Sequence, residues 1–298
     1  MRVNPAGMYT EIHAPEDLLP HLKSGSLDHV VIQGLDLCAY ESELLSCPAH
    51  GAVFLGCTMT PNAVSHVQAT GGLLFPRIPA LPYHPFRPRL YDVAELMEGY
   101  VRGAPESFYD HTTDSAIYRH YRKGVEQGGP IPALESLAQR LHDHAIDDAL
   151  SDLLHTDSRA DRVVGVMGGH AMKRDEPAFY EVARLGQALA RAGLFVATGG
   201  GPGAMEAANL GAWMAERDAT ALKAAVEILA TAPKYSDDGW FDTAYTVLDR
   251  WPNGAESLAI PTWFYGHEPS NLFSIHIAKY FANSLREDGL LAIATRGV

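Results

Sequence analysis

The stretch best equipped for chemistry is Thr198-Gly199-Gly200-Gly201-Pro202-Gly203-Ala204-Met205-Glu206. It follows an apolar run at 194–197 and opens a helical pattern over 207–215. Glycines let backbone N–H groups approach an anion closely, and a helix N-terminus adds unpaired donors and partial positive charge. A strand that ends in glycines and turns into a helix therefore points to a phosphate carried on a nucleotide or a sugar. The competing reading of the same residues is a tight turn that serves packing alone. A second glycine turn, Gly168-Gly169-His170, ends the apolar run at 163–167. The dinucleotide fingerprint follows a first strand and is answered by an acidic residue after the second. Here the glycine cluster follows the second strand, and no Gly-Lys-Ser/Thr phosphate loop occurs. A mononucleotide site fits better than an NAD site or ATP hydrolysis.

The elements that must carry these turns read as βαβ from residue 163 onward. Residues 163–167 form a wholly apolar strand, as a strand buried on both faces requires. Residues 177–192 form a helix with Pro177 in its first turn and Phe179, Val182, Leu185 and Leu189 on one stripe. A strand at 194–197 and helices at 207–215, 219–232 and 240–251 follow. A strand is expected at 257–265 and a helix at 271–285. Parallel strands joined by helices give a Rossmann-like, doubly wound α/β sheet, which binds ligands at the carboxyl ends of its strands.

Upstream, candidate strands at 29–37, 52–59 and 72–75 recur at even spacing, without a convincing repeat consensus. Residues 76–88 are proline-dense and read as an extended connector, and 91–102 and 131–155 read as helices. The polar run at 158–162 marks the expected boundary. It separates an N-terminal mixed α/β domain, 1–160, from the Rossmann-like domain, 161–298.

The chain has 298 residues, 47% of them hydrophobic, enough for a large core. Its formal net charge of −13 argues against general nucleic-acid binding, which wants a basic face. Cys38, Cys47 and Cys57 show neither metal spacing nor a disulfide framework, so a reducing cytoplasm is the simplest home. No apolar run approaches the ~20 residues that span a membrane. His142 and His144 lie two apart on an exposed-looking helix, off a shared face, so no metal site is expected there. No lysine stands in a context for a pyridoxal group, and neither metal nor organic cofactor is expected.

Val166-Met167-Gly168-Gly169-His170, then Thr198 through Ala207, then Glu268-Pro269-Ser270-Asn271, together resemble the LOG (Lonely Guy) family. Within it they are most similar to the bacterial pyrimidine/purine nucleotide 5′-monophosphate nucleosidases. The resemblance covers about 163–298 and implies hydrolysis of a nucleoside 5′-monophosphate of the AMP or GMP type to base and ribose 5-phosphate. It also implies a homodimer or higher homo-oligomer. It makes 284–296 a helix, where pattern alone reads 290–294 as a strand. It further implies that the family's Pro-Gly-Gly-x-Gly-Thr-x-x-Glu loop, with the main catalytic glutamate, lies beyond Val298. A nucleotide-binding sensor without turnover is the alternative from another class. An NAD-dependent oxidoreductase is the weakest reading.

The resemblance gives Arg286 the substrate-facing arginine, with a solvated helix arginine as the competing reading. Glu206 is assigned either to the ribose hydroxyls or to the helix N-terminus, which it would complement. The expected substrate-binding set is Gly168, Gly169, His170, Gly199, Gly200, Gly201, Gly203, Met205, Glu268 and Asn271. For Asn271 a helix N-cap competes, for His170 a structural histidine, and for Met205 a place in the core.

Overall fold

The computed structural model describes residues 2–3, 9–126, 131–267 and 271–298. The chain divides into two compact units, Met1–Arg89 with Pro132–Ala145 and Leu90–Ile131 with Ile146–Val298. Both are α/β with largely parallel sheets, as the sequence pattern predicts.

In the first unit, β1 (Arg2–Val3) pairs antiparallel with β2 (Thr10–Ile12). Then α1 (Pro15–Ser24), β3 (Val30–Gln33), α2 (Glu41–Ser46), β4 (Val53–Leu55), α3 (Pro61–Ala69) and β5 (Leu73–Phe75) alternate, and β2 to β5 lie parallel in chain order. Val31 pairs with Val53 and Val53 with Leu73. The backbone thus repeats a strand–helix unit that side-chain identity does not reveal. Leu18, Leu44 and Val67 of the helices pack on Val30, Ile32 and Phe54 of the strands.

These strands are shorter than the apolar runs suggest. Gly34 turns at φ +69° and Gly56 at φ +60°, with the connector laid against them. A Cβ on Gly34 would sit 2.9 Å from the Pro88 ring, and one on Gly56 2.7 Å from the Phe86 ring.

The second unit opens with α4 (Val93–Leu96), α5 (Glu106–His111) and α6 (Thr113–Glu126). The helix expected over 91–102 is thus confined to one turn. Tyr91 instead exchanges two backbone bonds with Ile277, and Gly99 turns at φ +95° against the backbone of His111. The long helix α7 (Ala133–His155) begins in the first unit. There His142 is buried, not exposed: its Nδ1 is 3.1 Å from Asp143 Oδ1 and its ring meets Tyr83 edge-on.

A 3-10 turn, Thr156–Arg162, leads into β6 (Val163–Val166), α8 (Pro177–Arg191), β7 (Phe195–Thr198) and α9 (Ala204–Trp213). Next come α10 (Ala219–Leu229), α11 (Trp240–Arg250), β8 (Leu258–Ala259), β9 (His276–Ile277) and α12 (Asn283–Ile293). The four strands are parallel in the order β6-β7-β8-β9. Helices α8 and α9 approach closely because Gly186 and Gly211 lack side chains at the crossing. A Cβ on Gly211 would sit 2.7 Å from Gln187 N and press on the carbonyl of Ala183. On the far side of β6, Arg296 N donates to Val163 O and Gly165 N to Gly297 O, both at 2.9 Å.

The segment 257–285 departs from expectation. Strand β8 spans two residues rather than 257–265, and 271–282 is not helical. Leu272, Phe273, Ile277, Ala278, Tyr280 and Phe281 are all buried, so the run lacks the one-sided stripe that a surface helix shows. His276 and Ile277 pair with Leu258 and Ala259, and helix begins only at Asn283. Residues 290–293 are helical rather than extended. Among the described residues no helix is long and apolar enough to cross a membrane.

A buried ion pair fixes α6 to the segments after β8 and β9. Lys279 Nζ donates to both Asp114 oxygens, at 2.7 and 3.0 Å, and Trp263 Nε1 donates to Asp114 Oδ1 at 2.9 Å. His267 Nε2 stands 3.4 Å away, its ring stacked on Phe108 on one side and Tyr118 on the other. Burial raises the Asp114 pKa, but Lys279 and His267 oppose it and bring the value down from 3.8 to about 2. A depressed folded pKa means that this stabilisation is full above pH 3.8 and is lost as pH falls toward 2. Asp114→Asn, followed by urea unfolding across pH, is expected to be least stable relative to the parent above pH 4. The gap should narrow by about 2 kcal/mol between pH 4 and 2; a gap independent of pH would contradict the assignment.

Candidate functional site

The carboxyl ends of β6 and β7 carry the two glycine turns, and the turns pack on each other. Gly169 O accepts from Met172 N at 3.1 Å and from Ala204 N at 3.2 Å. A Cβ on Gly169 would lie 2.7 Å from the Ala204 methyl, and one on Gly203 would press on Gly169 O. Gly169 has φ +66° and Gly203 φ +75°, a region in which other residues are strained. The glycines are thus required by backbone approach as well as by backbone angle.

Beneath the turns lies a buried amide network. Thr198 Oγ1 donates to Asn209 Oδ1 at 2.6 Å and accepts from Gly200 N at 3.1 Å. Asn209 Nδ2 donates to Ser257 Oγ at 2.8 Å, and Asn271 Nδ2 donates to Asn209 Oδ1 at 2.8 Å. Asn271 Oδ1 accepts from Phe273 N at 3.0 Å, so Asn271 closes a local turn and caps no helix. Gly200 and Gly201 are buried with this layer.

Arg286 reaches over the ends of β7 and β8 from α12. Its Nε donates to Ile260 O at 3.1 Å and its Nη2 to Gly199 O at 3.2 Å. Among the described residues the nearest acidic group, Glu287 Oε1, is 3.8 Å from Nη1. The guanidinium is oriented by the two carbonyls, with one carboxylate at the edge of ion-pair distance. It is mostly buried rather than a solvated helix arginine, with its side chain 14% exposed.

Arg286 lines a cavity of about 520 Å³ together with Met167, Gly168, His170, Met205 and Tyr265. Tyr265 is held by the same helix: its hydroxyl donates to Glu287 Oε1 and accepts from Asn283 Nδ2, each at 2.8 Å. The bond to Glu287 raises the tyrosine pKa, and the bonds from Asn283 and Tyr265 lower that of Glu287. Met205 is buried in the core and also faces this cavity.

His170 lines a second cavity too, of about 210 Å³, with Lys173, Arg174, Gly203, Glu206 and Lys234. Glu206 is fully buried, and both of its oxygens are bonded to Arg174, Oε2 to Nε at 3.0 Å and Oε1 to Nη2. Arg174 Nη1 donates to Trp240 O at 2.9 Å and Thr243 Oγ1 at 3.0 Å, and its guanidinium carbon lies 4.0 Å from the centre of the Trp240 ring.

Of the residues singled out in the sequence, Gly168, His170, Met205 and Arg286 share the first cavity. Gly203 and Glu206, with His170 again, line the second. Gly169 and Gly199–Gly201 form the backbone between and beneath, and Asn271 lies in the amide network. Glu268 lies outside the described residues. Sequence reasoning missed Arg174, Lys173, Lys234 and Tyr265. Tyr265 could have been found as the aromatic that ends the strand expected at 257–265. Arg174 carried no signal, because its partner Glu206 is 32 positions away.

Residues 161–221 match a sequence model of the SLOG cluster4 family, whose members are nucleotide-related α/β proteins. The match takes in both glycine turns and covers about a fifth of the chain. No curated protein and no solved structure matches the chain.

Two substitutions test this architecture by chemical denaturation. Glu206→Gln leaves the Arg174 charge buried and uncompensated, and is expected to lower stability by about 3–5 kcal/mol. Asn209→Ala strands buried partners on three separate segments, Thr198, Ser257 and Asn271, and is expected to cost about 1–3 kcal/mol. Near-neutral effects from either would show that these groups find other partners.

Proposed function

We propose, on the premise of a nucleotide-related unit of SLOG type, that the second unit binds a nucleoside 5′-monophosphate and hydrolyses its N-glycosidic bond. The observation that carries the reading is the first cavity. There a carbonyl-held arginine faces soft and flat side chains, Met167, Met205, His170 and Tyr265, beside a glycine turn. Arginine suits a phosphate, and methionine and aromatic surfaces suit a base. The likeness of three ordered motifs to the LOG family supports the same reaction.

In that reaction the bond between ribose C1′ and the base nitrogen breaks, and a water oxygen bonds to C1′. One water proton passes to the departing base nitrogen and the other stays on the new C1′ hydroxyl, giving free base and ribose 5-phosphate. The transition state is oxocarbenium-like, of the kind that a carboxylate beside the ribose stabilises while activating the water, a group that the described lining of the first cavity does not itself supply. Arg286 orients the phosphate end, which supplies positional advantage. Glu206 acts from behind, holding Arg174 in the wall.

A second reading, nucleotide binding without turnover, is favoured by one observation. Among the described residues the first cavity is lined by no carboxylate. In either case the ligand sits at the carboxyl edge of β6 and β7.

Incubation with AMP, GMP, CMP and UMP, followed by chromatography for free base, separates the readings. Release of base is expected, with a rate about 10²-fold lower in Arg286→Ala. Tight nucleotide binding with no base released would leave the sensor; no binding at all would overturn both.

A further inference from the structure

We propose that the cavity between Lys173 and Lys234 is a second phosphate subsite, and that the ligand of this unit carries two phosphate groups. The second clause rests on the nucleotide reading above; the first does not.

The two cavities share one side chain. His170 lines both, so a ligand seated against Arg286 in the first lies one residue away from the second. Their sizes differ in a useful way. The first, at about 520 Å³, falls within the ~300–1,000 Å³ typical of organic ligands, and the second, at about 210 Å³, falls below it. The smaller one suits a single anionic group rather than a second nucleoside.

The charge at its mouth is uncompensated. Lys173 and Lys234 are exposed, and neither ammonium group is in an ion pair with any described residue. The acidic residues nearest them in sequence, Asp175, Glu176, Asp237 and Asp238, do not line the cavity. Glu176 accepts from the backbone N–H of Lys173 at 3.2 Å, and Asp237 from that of Lys234 at 2.8 Å. Both carboxylates hold the local turns and leave the ammonium groups unpaired. Behind them the wall is electrically quiet: the Arg174 and Glu206 charges cancel in a buried bidentate pair backed by the Trp240 ring. Ser236 and Tyr235 add hydroxyl groups at the rim. On a chain of net charge −13, a cavity with two free cations at its mouth is a local reversal of sign, and such a site concentrates small anions.

The test is calorimetric titration of the intact protein, first with inorganic pyrophosphate. Binding is expected, and it should persist in Arg286→Ala. In the double variant Lys173→Ala/Lys234→Ala it should weaken by about tenfold or more, and the corresponding double arginine variant should restore it. Both lysines are exposed, so the alanine variant should keep the parent's unfolding midpoint. Pyrophosphate binding that is absent, or indifferent to the lysines, would overturn the subsite.

The second arm compares AMP with ADP and adenosine 3′,5′-bisphosphate. At least one bisphosphate should bind about tenfold tighter than AMP, and that gain should vanish in the double alanine variant while AMP affinity holds. If pyrophosphate behaves as expected but no nucleotide binds, the subsite stands and the nucleotide reading fails. If AMP binds as tightly as both bisphosphates, the subsite takes free phosphate, and the two-phosphate ligand is overturned.

Discussion

The Asn209 carboxamide is the contact on which the geometry of the second unit depends. It belongs to α9, yet it accepts from Thr198 at the end of β7, donates to Ser257 at the start of β8, and accepts again from Asn271. Every one of these groups is buried. With no water to replace a lost partner, each bond is obligatory, and the network has one satisfied arrangement. That arrangement sets where Gly200 turns, since its N–H bonds to the same Thr198 hydroxyl. It also sets how closely Gly203 is pressed on Gly169. The cavities on either side of His170 are the spaces left over once these strand ends are pinned.

Two contrasting kinds of cation occur in this unit. Arg174 and Lys279 are buried and matched with carboxylates, Glu206 and Asp114, so their charge is consumed in holding elements together. Such pairs offset their own desolvation and little more. Arg286 is held by two carbonyl oxygens with Glu287 3.8 Å away, while Lys173 and Lys234 have no ionic partner among the described residues. These three keep charge to offer. All three line the cavities beside the glycine turns.

Much of this was legible from local pattern. The apolar run at 163–167 and the one at 194–197 are short, bounded by glycine and rich in branched residues, and they became β6 and β7. The helix after Pro177 was legible, but its stripe only in part: Phe179 is buried and Val182 and Leu189 half-buried, whereas Leu185 is exposed and the buried face runs through Ala183, Gly186 and Gln187. The turn at Gly199–Gly203 advertised its own geometry, because so many glycines in a row are tolerated only where the backbone needs them. The segment 271–285 was not legible, because a run buried on every side has no polar face to betray its period. Nor was His142, whose burial comes from packing near Tyr83 rather than from its helical neighbours.

By itself the sequence determined the α/β class and the placement of both glycine turns at strand ends, while Arg286 was singled out by the family resemblance alone. The first two are properties of short windows, where periodicity and backbone freedom act over a few residues. Only the tertiary structure decided that Glu206 is bound to Arg174, that Asn271 serves a buried network, and that His170 stands between two cavities. It also decided that Tyr265 completes the first cavity. Each of these depends on groups tens of positions apart meeting at hydrogen-bond distance, and a linear pattern holds no record of which distant donor finds which acceptor.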